Sequence, residues 1–584
     1  MLKLRCLENG LCLPTACAPP PMSQCSSSFG DTPNGVKQSA FECPRPELCT
    51  RLWTPYHPGK AQSVFEQQIL GPARGRAEFH DGLQLPPSDG VGIPETRSSP
   101  VNYPSSFFLF GPDYPVHLLR KFYPPAGKAL LLWKFFQQNV SPLVPILHRP
   151  TASKLIRDAY ESPDSQFQDS EALILVIYLA AVISMTEDQC LGNLGVCRAT
   201  CIKNFRFAVE QALSRAGLLY TDSFILLQAA VLYVTCIRRE DAPKFTFSMT
   251  SIIVRLAQGL GLHRDGTLFG LSLFETEMRR RLWWHIYILD LRASEDHGIV
   301  RQINSDMFDT HLPSNLNDED IVPELDTIPQ QNDGFTDVTF LRVRCEISVA
   351  FSHDAIHNVD ATVTLSNTKL SSKDSFHQTR QYIDKKYLSK CNLSVPIQWV
   401  CATASRLILA KYWIMTRYAL ANSGSPSVST CLDRSQLLVL SLKALKYSHL
   451  LENHVYTSGW AWLFRSYIQW HAASFILSEL CVLPRSAMTD QAWAIVSVVF
   501  DTWRSDASQQ SAMVWKSITQ LKKRADTSVL QRLSTTAGAN GGWRVPYNIQ
   551  PNSPINAPEL AMFDAPGLDT TLPDIDWLMD AIST

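Results

Sequence analysis

The segment from 274 to 289 constrains the fold more than any other part of the sequence, because its pattern is that of a helix with almost no polar face. Its apolar side chains recur every three or four residues and form one stripe along a helix. Two tryptophans, a tyrosine and an isoleucine widen that stripe to most of the circumference. A helix that is apolar nearly all round lies inside a large domain. The stripe comprises Phe274, Met278, Leu282, Ile286 and Leu289, and the residues that widen it are Trp283, Trp284, Tyr287 and Ile288.

A second helix is predicted immediately upstream. Residues 252–260 place apolar side chains on one face. Gly259 and Gly261 then supply a stop signal, because glycine tolerates the left-handed conformation that helix ends use. Ser272 and Glu275 have the spacing of a capping box, which predicts that the next helix starts there. The sequence therefore predicts a hairpin of two core helices.

Charged residues flank the apolar part of the second helix. Arg279, Arg280 and Arg281 precede it, and Asp290 and Arg292 follow it. Because an unpaired buried charge costs several kcal/mol, we expect these residues to pair with neighbouring groups of opposite charge. The alternative interpretation is that the three arginines form a phosphate clamp.

The remaining patterns extend this interpretation to an all-α fold. No stretch shows sustained period-two alternation bounded by turn signals. Hydrophobic residues make up 45% of the chain and charged residues 18%, which is ample material for a large core. We predict a multi-helix domain over residues 105–525, between a disordered region at 1–104 and a flexible linker with a tail at 526–584. Within the domain, residues 460–480 predict one uninterrupted, largely apolar helix.

Charge and cysteine usage limit the function classes. The formal net charge is −1, so the chain lacks the overall basic excess of many nucleic-acid binders. Its 15 cysteines are scattered without a framework of close pairs, which favours a reducing intracellular compartment. No signal peptide is recognised, and the longest apolar run, residues 172–185, is shorter than the ~20 residues of a membrane helix. We therefore expect a soluble intracellular protein.

No catalytic or cofactor-binding motif is complete in the sequence. The phosphate-loop, dinucleotide, kinase and zinc-protease patterns each lack essential residues. The acidic cluster Asp318, Glu319 and Asp320 invites comparison with magnesium-binding aspartates, but we interpret it as a solvated turn after Pro313. The residues support neither a catalytic group nor a cofactor.

Four segments in and around the predicted helix hairpin together resemble the central regulatory domain of fungal zinc-cluster transcription factors. They are residues 259–266, 274–284, 289–298 and 308–320, and the similarity extends from about 105 to about 525. The family signature comprises residues to which we assign a structural role. These are Gly261, His263, Arg264, Glu277, Arg280, Arg281, Trp283, Trp284, Asp290, Arg292 and Pro313.

The resemblance implies a transcription regulator rather than an enzyme. Such proteins act in the nucleus, often as homodimers, and control metabolic or secondary-metabolite biosynthetic gene clusters. Such proteins bind DNA. The resemblance therefore implies that this chain acts on DNA, either by direct contact or through a zinc-cluster partner. Two other hypotheses remain open: a family member that acts only as a partner or inhibitor of an intact factor, and an all-helical metabolic enzyme with a tryptophan-lined pocket.

The N-terminal region departs from the family pattern. Zinc-cluster factors carry six cysteines with Cys-x-x-Cys pairs, whose thiolates hold two zinc ions beside a short basic helix that meets DNA. Six cysteines also occur here, but no two are separated by two residues and no basic run lies among them. Either this product lacks the DNA-binding module, or its reading frame has been started or spliced wrongly. The six are Cys6, Cys12, Cys17, Cys25, Cys43 and Cys49.

The C-terminal stretch, residues 559–582, interleaves acidic residues with bulky apolar ones. Acidic residues keep such a tail solvated, which leaves its apolar side chains free to enter a groove on a partner as a short helix. Acidic activation segments contact the transcription machinery in this way; the alternatives are a plain disordered terminus or a tail that packs on its own domain. The candidate contact residues are Phe563, Leu568, Ile575, Trp577, Leu578 and Met579.

Overall fold

The computed structural model describes residues 120–537, except 162–167, 241–242, 298, 325–326, 328, 360–367, 423–430, 485 and 506–512. This described part contains helices and no strands, which confirms the all-α prediction. The α-helices are α1 (Ala126–Asn139), α2 (Arg149–Glu161), α3 (Gln168–Ser184), α4 (Glu187–Leu194), α5 (Arg198–Arg215), α6 (Phe224–Ile237), α7 (Pro243–Gly259), α8 (Leu273–His297), α9 (Thr339–Val359), α10 (Thr368–Lys386), α11 (Pro396–Asn422), α12 (Cys431–Asn453), α13 (Ala461–Phe464), α14 (Trp470–Val482), α15 (Ala487–Ser505) and α16 (Met513–Ala537).

Helix α3 is the centre of the N-terminal half of the described fold. All of its residues from Ala172 to Ser184 are buried, because α1, α5 and α6 pack around it. Helix α6 is equally enclosed, with every residue from Leu226 to Ile237 buried. A helix without a polar face needs such neighbours on all sides, since the hydrophobic effect stabilises each buried side chain.

The C-terminal half is a second group of helices joined to the same core. Helix α11 packs on α12, α12 on α14, and α14 on α16, while α9 contacts both α8 and α11. Trp470 of α14 lies 4.9 Å from the ring centroid of Trp503 in α15 and 6.5 Å from that of Trp515 in α16. These aromatic contacts hold α14, α15 and α16 together. Helices α8 and α9 link this group to the N-terminal half.

The predicted hairpin is formed by α7 and α8. Gly261 has φ 75°, the amide of Leu262 donates to the Ala257 carbonyl at 2.9 Å, and the amide of Gly261 donates to the Gln258 carbonyl at 3.0 Å. This is the Schellman end that a left-handed glycine permits. At the start of α8 the Ser272 hydroxyl accepts from the Glu275 amide at 3.1 Å, so the first half of the predicted capping box is present.

The prediction of one continuous helix over 460–480 is wrong. The chain leaves helical geometry between Phe464 and Trp470, which separates α13 from α14. The carbonyl freed at Ser466 accepts from the Arg292 guanidinium at 2.6 Å, and that of Tyr467 accepts from the Gln469 side chain at 2.8 Å. Side chains therefore satisfy the carbonyls that the helix would have paired.

Two further observations concern the end of the helical domain and the length of its helices. Helix α16 continues to Ala537, so helical structure extends past the boundary predicted at residue 525. No helix of the described chain combines the length and the apolar composition needed to cross a bilayer.

Candidate functional site

All family-signature residues except Arg292 lie where residues 299–338, here called the return segment, fold back along α8. The first anchor of this segment is Asp290, near the end of α8. Its Oδ2 accepts from the amides of Gln302 and Ile303, both at 2.8 Å. Burial raises the pKa of this carboxyl, although the two amides oppose that effect. Asp290 therefore fixes the point at which the chain turns back.

The second anchor joins the return segment to the turn after α7. The amide of Asp309 donates to the His263 carbonyl at 3.1 Å, and the Thr310 hydroxyl donates to the Leu262 carbonyl at 2.6 Å. Arg264 also pairs with Asp309 at 2.8 Å, but both side chains are about half exposed. An exposed ion pair of this kind contributes only about 0–1 kcal/mol. The hydrogen bonds to the His263 and Leu262 carbonyls therefore fix this junction more firmly than the ion pair does.

Asp265 connects the same turn to α8. Its carboxylate accepts two hydrogen bonds from Arg280, both 2.8 Å, and one from the His311 amide at 3.0 Å. Burial by itself would raise the pKa of Asp265, but the hydrogen bonds from Arg280, Thr267 and the His311 amide outweigh it and hold the pKa far below the ordinary range. A bidentate guanidinium fixes orientation as well as charge.

The deepest ion pair belongs to Arg281, whose side chain is fully buried. It donates to Glu277 at 3.2 Å and to Asp318 at 2.5 Å. Asp318 also accepts from the Arg149 backbone amide at 2.9 Å and from its guanidinium at 3.1 Å. Burial would raise the pKa of Asp318, but the charges and hydrogen bonds of Arg281 and Arg149 lower it overall. The return segment is thus tied to α8 and to α2 through one carboxylate.

This arrangement corrects the interpretation of residues 318–320 as a solvated turn. Glu319 and Asp320 are exposed, as that interpretation requires, but Asp318 is only 2% exposed. The three adjacent acids therefore lie in two different environments, because only Asp318 pairs with Arg149 and Arg281.

Aromatic rings fill the space beneath the return segment. Trp283 is fully buried, and its ring centroid lies 5.5 Å from that of Phe308. Trp284 meets Phe308 edge-on at 5.4 Å, and its indole N–H donates to the His311 carbonyl at 2.8 Å. The paired tryptophans are therefore a packing surface for the return segment, and Trp284 also fixes its backbone.

Arg292 lies on another side of α8, toward the break between α13 and α14. Its guanidinium carbon is 3.3 Å from the centroid of the Tyr467 ring, and Arg344 of α9 donates to the Tyr467 hydroxyl at 2.6 Å. Burial lowers the pKa of Arg292 to about 10. Burial would raise the pKa of Tyr467, but the nearby arginines Arg292, Arg344 and Arg238 lower it overall. The potential around this tyrosine is positive.

His285 reports the same positive potential from inside the helix. Burial, followed by the charges of Arg344 and Arg292, lowers its pKa to about 3. Its Nε2 contacts the Thr235 hydroxyl at 3.0 Å. The imidazole is therefore neutral near pH 7 and serves as a core residue of the α6–α8 contact.

The structure brings most of the signature residues together, with Arg292 apart from them. The carbonyl of Pro313 accepts from Arg342, which attaches the return segment to α9. The sequence analysis did not identify several residues that bind the signature side chains. Asp265 and Asp309 lie within the segments that resemble the family and could have been found there. Arg149, Arg344 and Tyr467 have no local sequence pattern that marks them. The signature residues gathered at the α8–return segment contact are Gly261, His263, Arg264, Glu277, Arg280, Arg281, Trp283, Trp284, Asp290 and Pro313.

The predicted pairing of the arginines is observed. Besides the bonds of Arg280 and Arg281, Arg279 donates to the Leu260 carbonyl at 3.0 Å and pairs with Glu275. The phosphate-clamp alternative gains no support, because all three guanidinium groups bind protein atoms.

Across the described ranges, no cluster of three or more His, Cys, Asp or Glu residues is arranged to hold a metal ion. The six N-terminal cysteines and the six candidate contact residues of the tail, from Phe563 to Met579, lie outside the described residues.

Comparison with known proteins shows which proteins this chain resembles. Residues 133–367, which contain both the α7–α8 hairpin and the return segment, match the model of the fungal specific transcription factor domain. The aurofusarin cluster transcription factor aurR2 of Gibberella zeae is 30% identical over 418 residues, covering 71% of this chain and 62% of that protein. The transcriptional regulator AacuB of Aspergillus aculeatus is 29% identical over 405 residues, covering 69% and 55% respectively.

A third relative is shorter in its match. The pyriculol/pyriculariol biosynthesis cluster transcription factor 1 of Pyricularia oryzae is 30% identical over 259 residues, which is 44% of this chain and 35% of that protein. The chain thus spans less than two thirds of the length of each of these relatives. Residues 133–367, which lie within the helical body described above, are similar to the fungal specific transcription factor domain.

Proposed function

We propose that this protein is a fungal transcription regulator that controls a secondary-metabolite biosynthetic gene cluster. The proposal rests on the family match over residues 133–367. This range contains the return segment and the ion pairs that hold it. Two of the three relatives described above are named as transcription factors of a metabolite cluster. The protein then acts in the nucleus, by binding and not by catalysis.

In this proposal the helical body restrains or licenses other parts of the chain. Apart from Arg292, its signature charges bind ion-pair or amide partners within the body, so they stabilise one conformation of the α8–return segment unit and leave DNA recognition to another element. That element is either elsewhere in this product or on a zinc-cluster partner. A body of this kind also provides the surface for a homodimer.

The tail at 559–582 is the proposed contact with the transcription machinery. Its support is compositional: acids alternate with bulky apolar residues, which suits a short helix that binds a partner groove. In the full chain, Trp577→Ala with Leu578→Ala should lower activation of a target promoter. The control Thr570→Ala with Thr571→Ala, in the same stretch, should leave it unchanged. Equal activity of both variants would remove the tail from the proposal.

Promoter occupancy tests the regulator role itself. Chromatin immunoprecipitation of the tagged full chain should recover promoters of one contiguous biosynthetic cluster. Gel-shift assays with the purified chain, with and without zinc, then separate direct from partner-mediated contact. Zinc-dependent binding by the chain alone indicates direct contact, and binding only after addition of a zinc-cluster partner indicates the indirect route. Absence of enrichment at any promoter contradicts the proposal.

A further inference from the structure

A small cavity lies between four parts of the fold, away from the return segment. Helices α8, α9 and α11 and the break between α13 and α14 line it, and it is partly open. Its volume is about 40 Å³. At about 10–15 Å³ for one water, this space holds roughly three water molecules, or one functional group of about three heavy atoms. The polar side chains that line it are Arg292, Glu295, Arg344, Ser348, Lys411, Tyr412, Tyr467 and Gln469.

The charges of the cavity are unbalanced. Lys411 pairs with Glu295 at 2.5 Å, which leaves the positive charges of Arg292 and Arg344. Within the described residues, no carboxylate lies within 4 Å of either guanidinium. Arg292 donates to the Ser466 carbonyl instead, and Arg344 to the Tyr467 hydroxyl. The cavity therefore carries two excess positive charges in a buried site.

Unsatisfied donors accompany this excess. Arg344 is 3% exposed, and its Nη1 has no hydrogen-bond partner. Nearby, Arg238 pairs with Asp296 through Nη2, but its Nε and Nη1 also have no partner. A buried guanidinium with unused donors is unfavourable unless another group accepts those bonds. A bound anion is such a group, and it also offsets the positive potential.

We propose that this cavity binds the carboxylate of a short aliphatic acid, with Arg292 and Arg344 as its principal partners. The three heavy atoms of a carboxylate fit the space of about 40 Å³, and the alkyl chain of the acid extends from it along the apolar part of the wall. Its planar pair of oxygens matches the donors of a guanidinium. Lys411 lies on the same wall and adds a further positive group, which is paired with Glu295.

Size and the apolar part of the lining select the class of ligand. The accessible space holds about three heavy atoms, so the five-atom tetrahedral phosphate fits it less well than a planar carboxylate group. The apolar residues Ile288, Leu291, Leu407 and Ile408 complete the wall and accommodate a short alkyl chain. The favoured ligand is therefore a monocarboxylate with a small apolar substituent.

Binding there would tie together elements that are distant in sequence. Arg292 of α8 and its partner Ser466 are 174 residues apart, and Arg344 and Tyr467 are 123 apart. A ligand held by both arginines would stabilise the contact of α8 and α9 with the break between α13 and α14. A regulatory consequence of this binding rests on the proposed function, but the binding itself does not.

The test measures ligand binding by the purified full chain. Propionate, propionamide and inorganic phosphate are titrated at constant ionic strength, and binding is followed by calorimetry and by thermal unfolding. Propionate should bind saturably and raise the melting temperature, while the neutral isostere propionamide should not. Equal effects of propionate and propionamide, or stronger binding of phosphate, would overturn the assignment.

Variants locate the site. Arg344→Met should weaken propionate binding about tenfold or more, since it removes charge-assisted hydrogen bonds. Lys411→Gln, at a less buried position, should weaken it by a smaller factor and keeps the test decisive where Arg344→Met fails to fold. Arg255→Met changes an exposed arginine of α7 and is the matched control, with unchanged affinity expected. Undiminished propionate binding by Lys411→Gln and by folded Arg344→Met would place the ligand elsewhere. These results do not depend on whether the protein regulates transcription.

Discussion

Replacing Asp318 with asparagine tests the ion-pair network most sharply. The change is nearly isosteric, but it removes the negative charge between the buried Arg281 and Arg149. Breaking a buried ion pair by neutralising one partner costs about 3–5 kcal/mol, because the other charge remains buried. At about 2.1 cal/mol/K of unfolding entropy per residue, the helical body should lose about 4–6 °C of melting temperature.

The measurement is differential scanning fluorimetry of the purified chain, together with its half-life under limited proteolysis. Glu319→Gln is the matched control, because it neutralises the adjacent acid in an exposed position. Its expected effect is within about 0.5 kcal/mol. The double variant Asp318→Asn with Arg281→Met should be less destabilised than the sum of the two single changes. The reasoning is refuted if Asp318→Asn and Glu319→Gln shift the melting temperature equally.

Three further predictions concern other parts of the fold. Gly266→Ala should lower the free energy of unfolding by about 1–3 kcal/mol in chemical denaturation, since its Cβ would lie 2.6 Å from the Thr276 hydroxyl oxygen. The control Gly259→Ala, with open space at Cβ, should leave the free energy of unfolding unchanged or raise it slightly. Burial raises the pKa of Glu452 to about 7, so the folded state holds its proton more tightly than the unfolded state, and stability is lost as pH rises from about 5 through 7. Glu452→Gln should remove that loss in melting curves taken from pH 5 to 8, whereas an unchanged pH profile would contradict it. Asp290→Ala should cost about 1–3 kcal/mol and speed hydrogen exchange at the two amides that Asp290 accepts from.

Acid lability should follow from the lowered carboxyl pKa of the network. A carboxyl whose pKa is lower in the folded state contributes stability above its unfolded pKa, and that stability is lost as pH falls. The pKa values of Asp265 and Asp318 are both lowered. The melting temperature should therefore fall as the pH drops below about 4, near the ordinary aspartate value, and less steeply in Asp318→Asn.

The features that local sequence determines were predictable. The α7–α8 hairpin followed from apolar periodicity and from Gly261, whose left-handed φ closes α7. The pairing of Arg280 and Arg281 followed from the cost of burying charge. The partner Glu277 lies one helical turn from Arg281, and Asp265 lies 15 residues from Arg280 across the turn between the two helices.

Features that depend on distant contacts were missed. Asp318 was interpreted as solvated because its partner Arg149 lies 169 residues away. The break before Trp470 was missed for a related reason: an apolar run predicts a continuous helix, and only Arg292, 174 residues from Ser466, stabilises the open carbonyl. The positive cavity also required three helices to meet, and no single segment shows that they do.

Transcript sequencing tests whether this chain regulates a gene cluster and whether the ion pairs of Asp318 are needed for that role. The gene is deleted and then restored as wild type, Glu319→Gln or Asp318→Asn, and all transcripts are sequenced. We expect one contiguous biosynthetic cluster to change together on deletion, to recover with wild type and Glu319→Gln, and to recover poorly with Asp318→Asn. Unchanged cluster transcripts after deletion would contradict the proposed regulator role.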